Sequence, residues 1–135
     1  MPLSAFPSYD NSPLNFPIMR YSEVLLMKAE ALNELGQTSL AIVPLNLVRG
    51  RAGLAAVTSG LSQTAFRDKV LHERRMEFAF EGQRWFDLIR VNDGQYGLNF
   101  LHSIGKNNAS TKHLLLPIPQ IERDRNPNLT QNPGY

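Results

Sequence analysis

The run from Glu73 to Arg90, ERRMEFAFEGQRWFDLIR, most narrows what this chain can fold into, because charges and large apolar groups share one surface there. If a helix begins near Gln63, then at about 100° per residue Phe66, Val70 and Phe80 lie on one face, and Glu73 and Glu77 fall inside it. A carboxylate taken out of water needs a cationic, hydrogen-bonding partner. The candidates are Arg74, Arg84, Arg90, Arg20 and Arg49, and the expected structural ion network is Glu73, Glu77, Arg74, Arg84 and Arg20. Arg67, Asp68, His72 and Arg75 fall mostly on other arcs, where water can solvate them.

Two acids one helical turn apart also invite a catalytic reading, since retaining glycosidases use carboxylates about 5 to 5.5 Å apart. Such enzymes flank a sugar from two sides of a cleft, whereas Glu73 and Glu77 come from one helix. The scaffold reading is therefore preferred, and no catalytic residue is expected. Metal is not expected either. His72-Glu73 begins like a zinc-protease motif, but Met76 stands where the second histidine of HExxH belongs. His102 and His113 are isolated in sequence, and Arg49-Gly50-Arg51 lacks the glycine-rich loop and lysine of a phosphate cradle. No cofactor is implied.

The rest of the chain reads as mainly all-α. From about 19 to 35, Val24, Leu25, Lys28, Ala29, Ala31, Leu32 and Leu35 recur at helical spacing, with Gly36 as a stop. A second helix over about 39–51 is apolar at Ala41, Ile42, Leu45 and Val48, with Thr38 or Ser39 as N-cap, and the two make an antiparallel hairpin over about 19–51. Helices over about 63–91 follow: one capped by Ser62 and carrying Phe66, Val70, Leu71, Phe78 and Phe80, then a break at Gly82 and a shorter helix. Residues 92–135 read as a long polar loop and a docking tail. Within them Leu114 to Ile118 is strand-like but barred from a central strand by Pro117 and Pro119, and Glu122 to Arg125 makes one turn. Residues 1–17, rich in proline, form an extended arm ahead of the domain 18–135.

Composition excludes several classes of function. No apolar stretch approaches the ~20 residues of a membrane helix, and there is no cysteine for a disulfide or thiol chemistry. The net charge of +2 comes from cations interleaved with acids, not from the uncompensated stripe of a nucleic-acid binder. Trp85 and Tyr96 are the aromatic residues considered for stacking on a sugar ring. Trp85 fits a core position better, and Tyr96, in a glycine-flanked loop, is the better exposed of the two.

The Glu73–Arg90 run closely resembles the signature of the SusD/RagB family, and three further segments match in that family's order: RYSEVLLMKAEALNELG (20–36), LNLVRGRAGL (45–54) and LLLPIPQIERDRNPNLTQNPGY (114–135). The resemblance covers nearly everything from Pro17 onward. It implies a SusD-like α-helical fold and a surface lipoprotein of Bacteroidetes, working with a SusC-like TonB-dependent outer-membrane transporter to capture a glycan or other large nutrient without breaking a bond. Family members are several times longer, so the resemblance implies that this is their C-terminal portion. The export signal, lipid anchor and most ligand-binding aromatics would then lie elsewhere in the protein.

The hairpin also resembles one tetratricopeptide (TPR) unit, with Ala29 at the close helix contact, Gly36 at the turn, Ala41 and then Leu45. Lys28 and Gly53 depart from that pattern. A lone unit cannot bury its outer face. Leu26, Leu40 and Leu47 are placed outside the main stripe, and self-association, as a homodimer or by exchange of the N-terminal arm, is expected to cover them. The alternative function is a free-standing TPR-like module that binds protein.

Overall fold

The computed structural model describes residues 18–135, so the arm expected over residues 1–17 lies outside the described part. The described residues form six α-helices and two short 3-10 turns, with no β-strand among them. They belong to two compact units, one ending at Arg74 and the other beginning at Arg75.

In the first unit α1 (Tyr21–Glu34) and α2 (Thr38–Arg51) make the expected hairpin. α1 stops because Gly36 takes φ +74°, which lets its N–H reach Asn33 O and the N–H of Gln37 reach Leu32 O, both at 2.9 Å. This pair of bonds is a Schellman motif. Gly53 ends α2 in the same way, with bonds from Gly53 to Gly50 and from Leu54 to Arg49, so a glycine does there what a proline does in the TPR pattern. Ala29, Ala41 and Leu45 are fully buried, as close approach of the two helices requires. The N-cap of α2 is Gln37, not Thr38 or Ser39. The Thr38 hydroxyl is directed instead to the Asn33 side chain.

The inward arc of α1 is not the expected one. Ser22, Glu23, Leu26, Ala29 and Asn33 are buried, while Val24 and Leu35 are exposed. Leu26, placed outside the stripe, is in fact completely buried. α1 carries apolar residues nearly all round, so periodicity alone could not orient it; its polar residues turn inward because their partners are there.

α3 (Gln63–Glu77) begins as expected at Ser62, whose Oγ accepts from Ala65 N–H at 3.2 Å. Phe66, Val70 and Leu71 are buried on it. Phe80 is a correction: the helix has ended at Glu77, Phe80 takes φ +67°, and its side chain is fully exposed. The arc drawn through Phe66 and Val70 does not extend past a helix terminus.

In the second unit Gly82, at φ +77°, precedes α4 (Arg84–Ile89). The segment expected as a polar loop contains a turn at Asn92–Gly94 and then α5 (Gln95–Ser103). Two of its glycines flank the helix, Gly94 closing the turn ahead of α5 and Gly105 in the turn just past it. Gly97 lies inside α5 because a Cβ there would come 2.9 Å from Leu88 O.

A second 3-10 turn, Thr111–Leu114, is followed by α6 (Gln120–Arg125). Leu115 is extended as expected, but no strand forms. The backbone of this segment is satisfied by side chains of the tail. Gln131 accepts from Ile118 N–H at 2.8 Å and donates to Ile118 O at 2.9 Å. Asn132 donates to Leu116 O, and the Tyr135 hydroxyl to Leu115 O.

Candidate functional site

The residues with potential chemistry in the first unit are charges drawn into helix contacts. Arg49, on α2, donates from Nη1 to Glu73 Oε2 at 2.5 Å and from Nε to Ala55 O at 2.9 Å. Glu73 keeps 5 % of its side-chain surface, too little for a substrate to approach. Arg74, also buried, places Nη2 3.8 Å from Glu23 Oε1 on α1. Nearer the hairpin turn Arg67 grips Glu34 with two bonds of 2.6 Å. The hydrogen bonds of this fork hold the Glu34 carboxyl below its ordinary value, against the opposing effect of burial, and raise the Arg67 guanidinium in turn. Arg67 is therefore ion-paired, where solvation alone was expected.

These links run in order. Residues 63 and 67 meet the end of α1, and residue 74 meets its start, so α3 lies antiparallel to α1 and is laced to the hairpin along its length. Asn33, completely buried, is the knot at one end. Its amide donates to Gln63 O at 3.0 Å and accepts from Thr38 Oγ1 at 2.8 Å, and Gln63 donates back to Asn33 O at 2.7 Å. Asn46 similarly closes both its amide atoms on the peptide groups of Val57. Sequence reasoning missed both asparagines. The available signal was a polar residue in an apolar helix, which must find a partner if it turns inward.

Of the residues of the expected network, four have contacts that can be named. Arg20 donates to Ser22 Oγ at 2.6 Å, Arg74 faces Glu23, and Glu73 takes Arg49, which stood among the candidate cations but not in the network. Glu77 is half-buried and engaged. Arg84 sets its guanidinium 4.9 Å from the centre of the Phe100 ring, with Arg75 at 5.5 Å from the same ring. Its Nε and Nη1 are buried and have no hydrogen-bond partner among the described residues, so an aromatic face takes the place of the expected carboxylate. The buried acid of the second unit is instead Asp87, which accepts from Arg90 Nη2 at 3.0 Å and Nε at 3.2 Å.

Trp85 and Tyr96 are both half-buried. Tyr96 sits on helix α5, not in a glycine-flanked loop. A cavity of about 350 Å³ lies at the end of α5, lined by Leu101, residues 105–109 and His113, and neither aromatic residue lines it. His102 contacts Ala109 O, His113 closes a capping box with Ser110, and His72 is exposed. No group of three or more His, Cys, Asp or Glu able to hold a metal occurs among the described residues. None of their helices is long and apolar enough to cross a membrane.

The SusD family model matches residues 4–135. SusD-like protein P2 of Formosa agariphila is 40 % identical over 92 % of this chain and 26 % of its own length. Among solved structures, a SusD superfamily protein from Bacteroides vulgatus superposes with TM-score 0.77 at 31 % identity, over 92 % of this chain and 28 % of that one. One from Parabacteroides distasonis gives 0.74 at 37 % identity, over 98 % and 30 %. The chain thus spans about a quarter of the length of the curated relatives it matches.

Proposed function

The chain belongs to the SusD family, and from that premise we propose that it is the C-terminal scaffold part of a cell-surface nutrient-binding protein. The whole protein, on this reading, captures a glycan at the outer membrane and passes it to a SusC-like TonB-dependent transporter without breaking a bond. The observation that carries the proposal is the family match across residues 4–135, joined to the superposition on SusD superfamily structures.

The scaffold role is supported by what the charged residues do. Glu73, Arg49, Arg74 and Glu23 are spent on holding α3 to the hairpin, and a side chain committed to an ion pair at 5 % exposure is not available to a ligand. Trp85 and Tyr96, half-buried on helices, offer no open aromatic platform. The ligand's contacts are therefore assigned to the remaining three-quarters of the protein's relatives' length.

Calorimetry of this chain against a panel of oligosaccharides, beside capture by a detergent-solubilised SusC-like transporter, tests both halves. The expected result is transporter capture without saturable glycan heat. A saturable heat abolished by Tyr96→Ala would place the ligand site on this chain, and release of shorter sugars would make it an enzyme. The second reading, a TPR-like protein-binding module, is favoured by the buried Ala29, Ala41 and Leu45 at the hairpin contact; capture of peptides but not of the transporter would select it.

A further inference from the structure

The segment from Leu115 to Pro119 has the backbone of a β-strand without being paired as one. Leu115 takes φ −112° and ψ 145°, Pro119 takes φ −55° and ψ 137°, and Leu116 and Ile118 each precede a proline, which confines them to the same extended region. In an extended chain alternate residues present their N–H and C=O to the same side, so residues 116 and 118 form one edge and residues 115, 117 and 119 the other. The second edge is poor in donors. Pro117 and Pro119 have no N–H, and the Leu115 N–H is turned to Lys112 O. The edge able to pair with a strand is therefore that of Leu116 and Ile118.

Side chains of the tail fill that edge. Gln131 accepts from Ile118 N–H and donates to Ile118 O, the exchange of both bonds that a directly opposite residue makes in an antiparallel ladder, and Asn132 donates to Leu116 O two residues along. These bonds are linked to one another. Gln131 Oε1 also accepts from Asn132 N–H at 2.8 Å, the Tyr135 N–H donates to Asn132 O at 3.3 Å, and the Tyr135 hydroxyl reaches Leu115 O while its ring lies 5.5 Å from Lys112 Nζ. Gly134 lets the tail turn back between them. Its φ is +92°, and a Cβ there would come 2.8 Å from Lys112 Cβ, so only glycine fits without displacing the tail.

We propose that residues 131–135 are a strap that takes the place of a β-strand, closing the pairing edge of residues 115–119 and opening as one unit. While shut, it withholds from other chains the row of N–H and C=O groups that invites unwanted strand pairing. Amide hydrogen exchange of the full chain, read residue by residue, tests it through Gly134→Ala, which removes none of the bonds to residues 115–118 but forces the tail away from Lys112. The expected result is exchange about tenfold faster at Ile118, Asn132 and Tyr135 together. Val57 should be unchanged, because the same pair of amide bonds comes there from Asn46 on helix α2. Gln131→Ala, which removes the central amide, should speed the same three positions. Ile118 protected as before in Gly134→Ala overturns the strap, whatever happens at Tyr135. So does a Gln131→Ala chain in which Ile118 and Asn132 are freed but Tyr135 is not, or a rise at Val57 by the same factor, which would be a general loosening of the chain.

Discussion

The first unit holds long helices together with charged and amide side chains that reach from one helix to the next, whereas the second folds short helices and extended backbone with side chains that reach back to the main chain. In the first, Arg49–Glu73, Arg67–Glu34 and Asn33–Gln63 each join residues 24 to 33 positions apart. In the second, the tail amides of Gln131 and Asn132 bond backbone 13 to 16 positions away, and the non-glycine positive-φ residues among those described, Phe80, Asn92 and Asp93, all lie there. Long-range side-chain pairs couple distant helices into one cooperative block. Side-chain bonds onto local backbone permit opening piece by piece.

The largest test of that contrast is Glu73→Ala. It strands Arg49 in a nearly closed site and should cost about 3 to 5 kcal/mol in chemical denaturation. A loss below about 0.5 kcal/mol, the size of a surface substitution, would show that the lacing does not hold α3. Glu77, expected inside the same apolar face, is only half-buried and would give the weaker test. Asn33→Ala comes next, at about 2 to 3 kcal/mol, because it leaves Thr38 and the Gln63 carbonyl without their partner.

Gly97→Ala probes the second unit's close packing. The new Cβ would meet the Leu88 carbonyl at 2.9 Å, so overpacking should outweigh the gain in helix propensity and cost about 1 to 2 kcal/mol. Gln131→Ala sharpens the comparison differently. It should speed amide exchange at Ile118 by roughly tenfold, for about 1 kcal/mol of local opening, while the amides of α1 and α2 keep their protection. Equal loss in both units would erase the distinction drawn between them.

The smallest effect is a pH dependence. Arg67 depresses the Glu34 carboxyl, so the stability it contributes is present above the ordinary value of 4.5 and is lost as pH falls below that value through the folded-state value. The pair is exposed to solvent, with Glu34 at 44 %, and screening limits it to about 0.5 to 1 kcal/mol. Comparing denaturation midpoints of the chain and Glu34→Gln on either side of that value reads it out; identical profiles would leave the fork without energetic weight.

What the sequence determined by itself was the helical content of the first unit, the hairpin turn at Gly36, the helix start at Ser62 and the need for cations near Glu73. All of these rest on interactions within a few residues, or on a burial cost that any fold must meet. Tertiary structure decided which arc of α1 faces inward, because a helix apolar nearly all round has no preferred side until Asn33 and Glu23 find partners on other elements. It decided which arginine serves Glu73, since five were available and only the packing of α2 against α3 selects Arg49. It also turned the segment around α5 from loop into helix. There the glycines are flanking and packing residues whose roles depend on Leu88 and Leu114 coming close, and no local pattern records that approach.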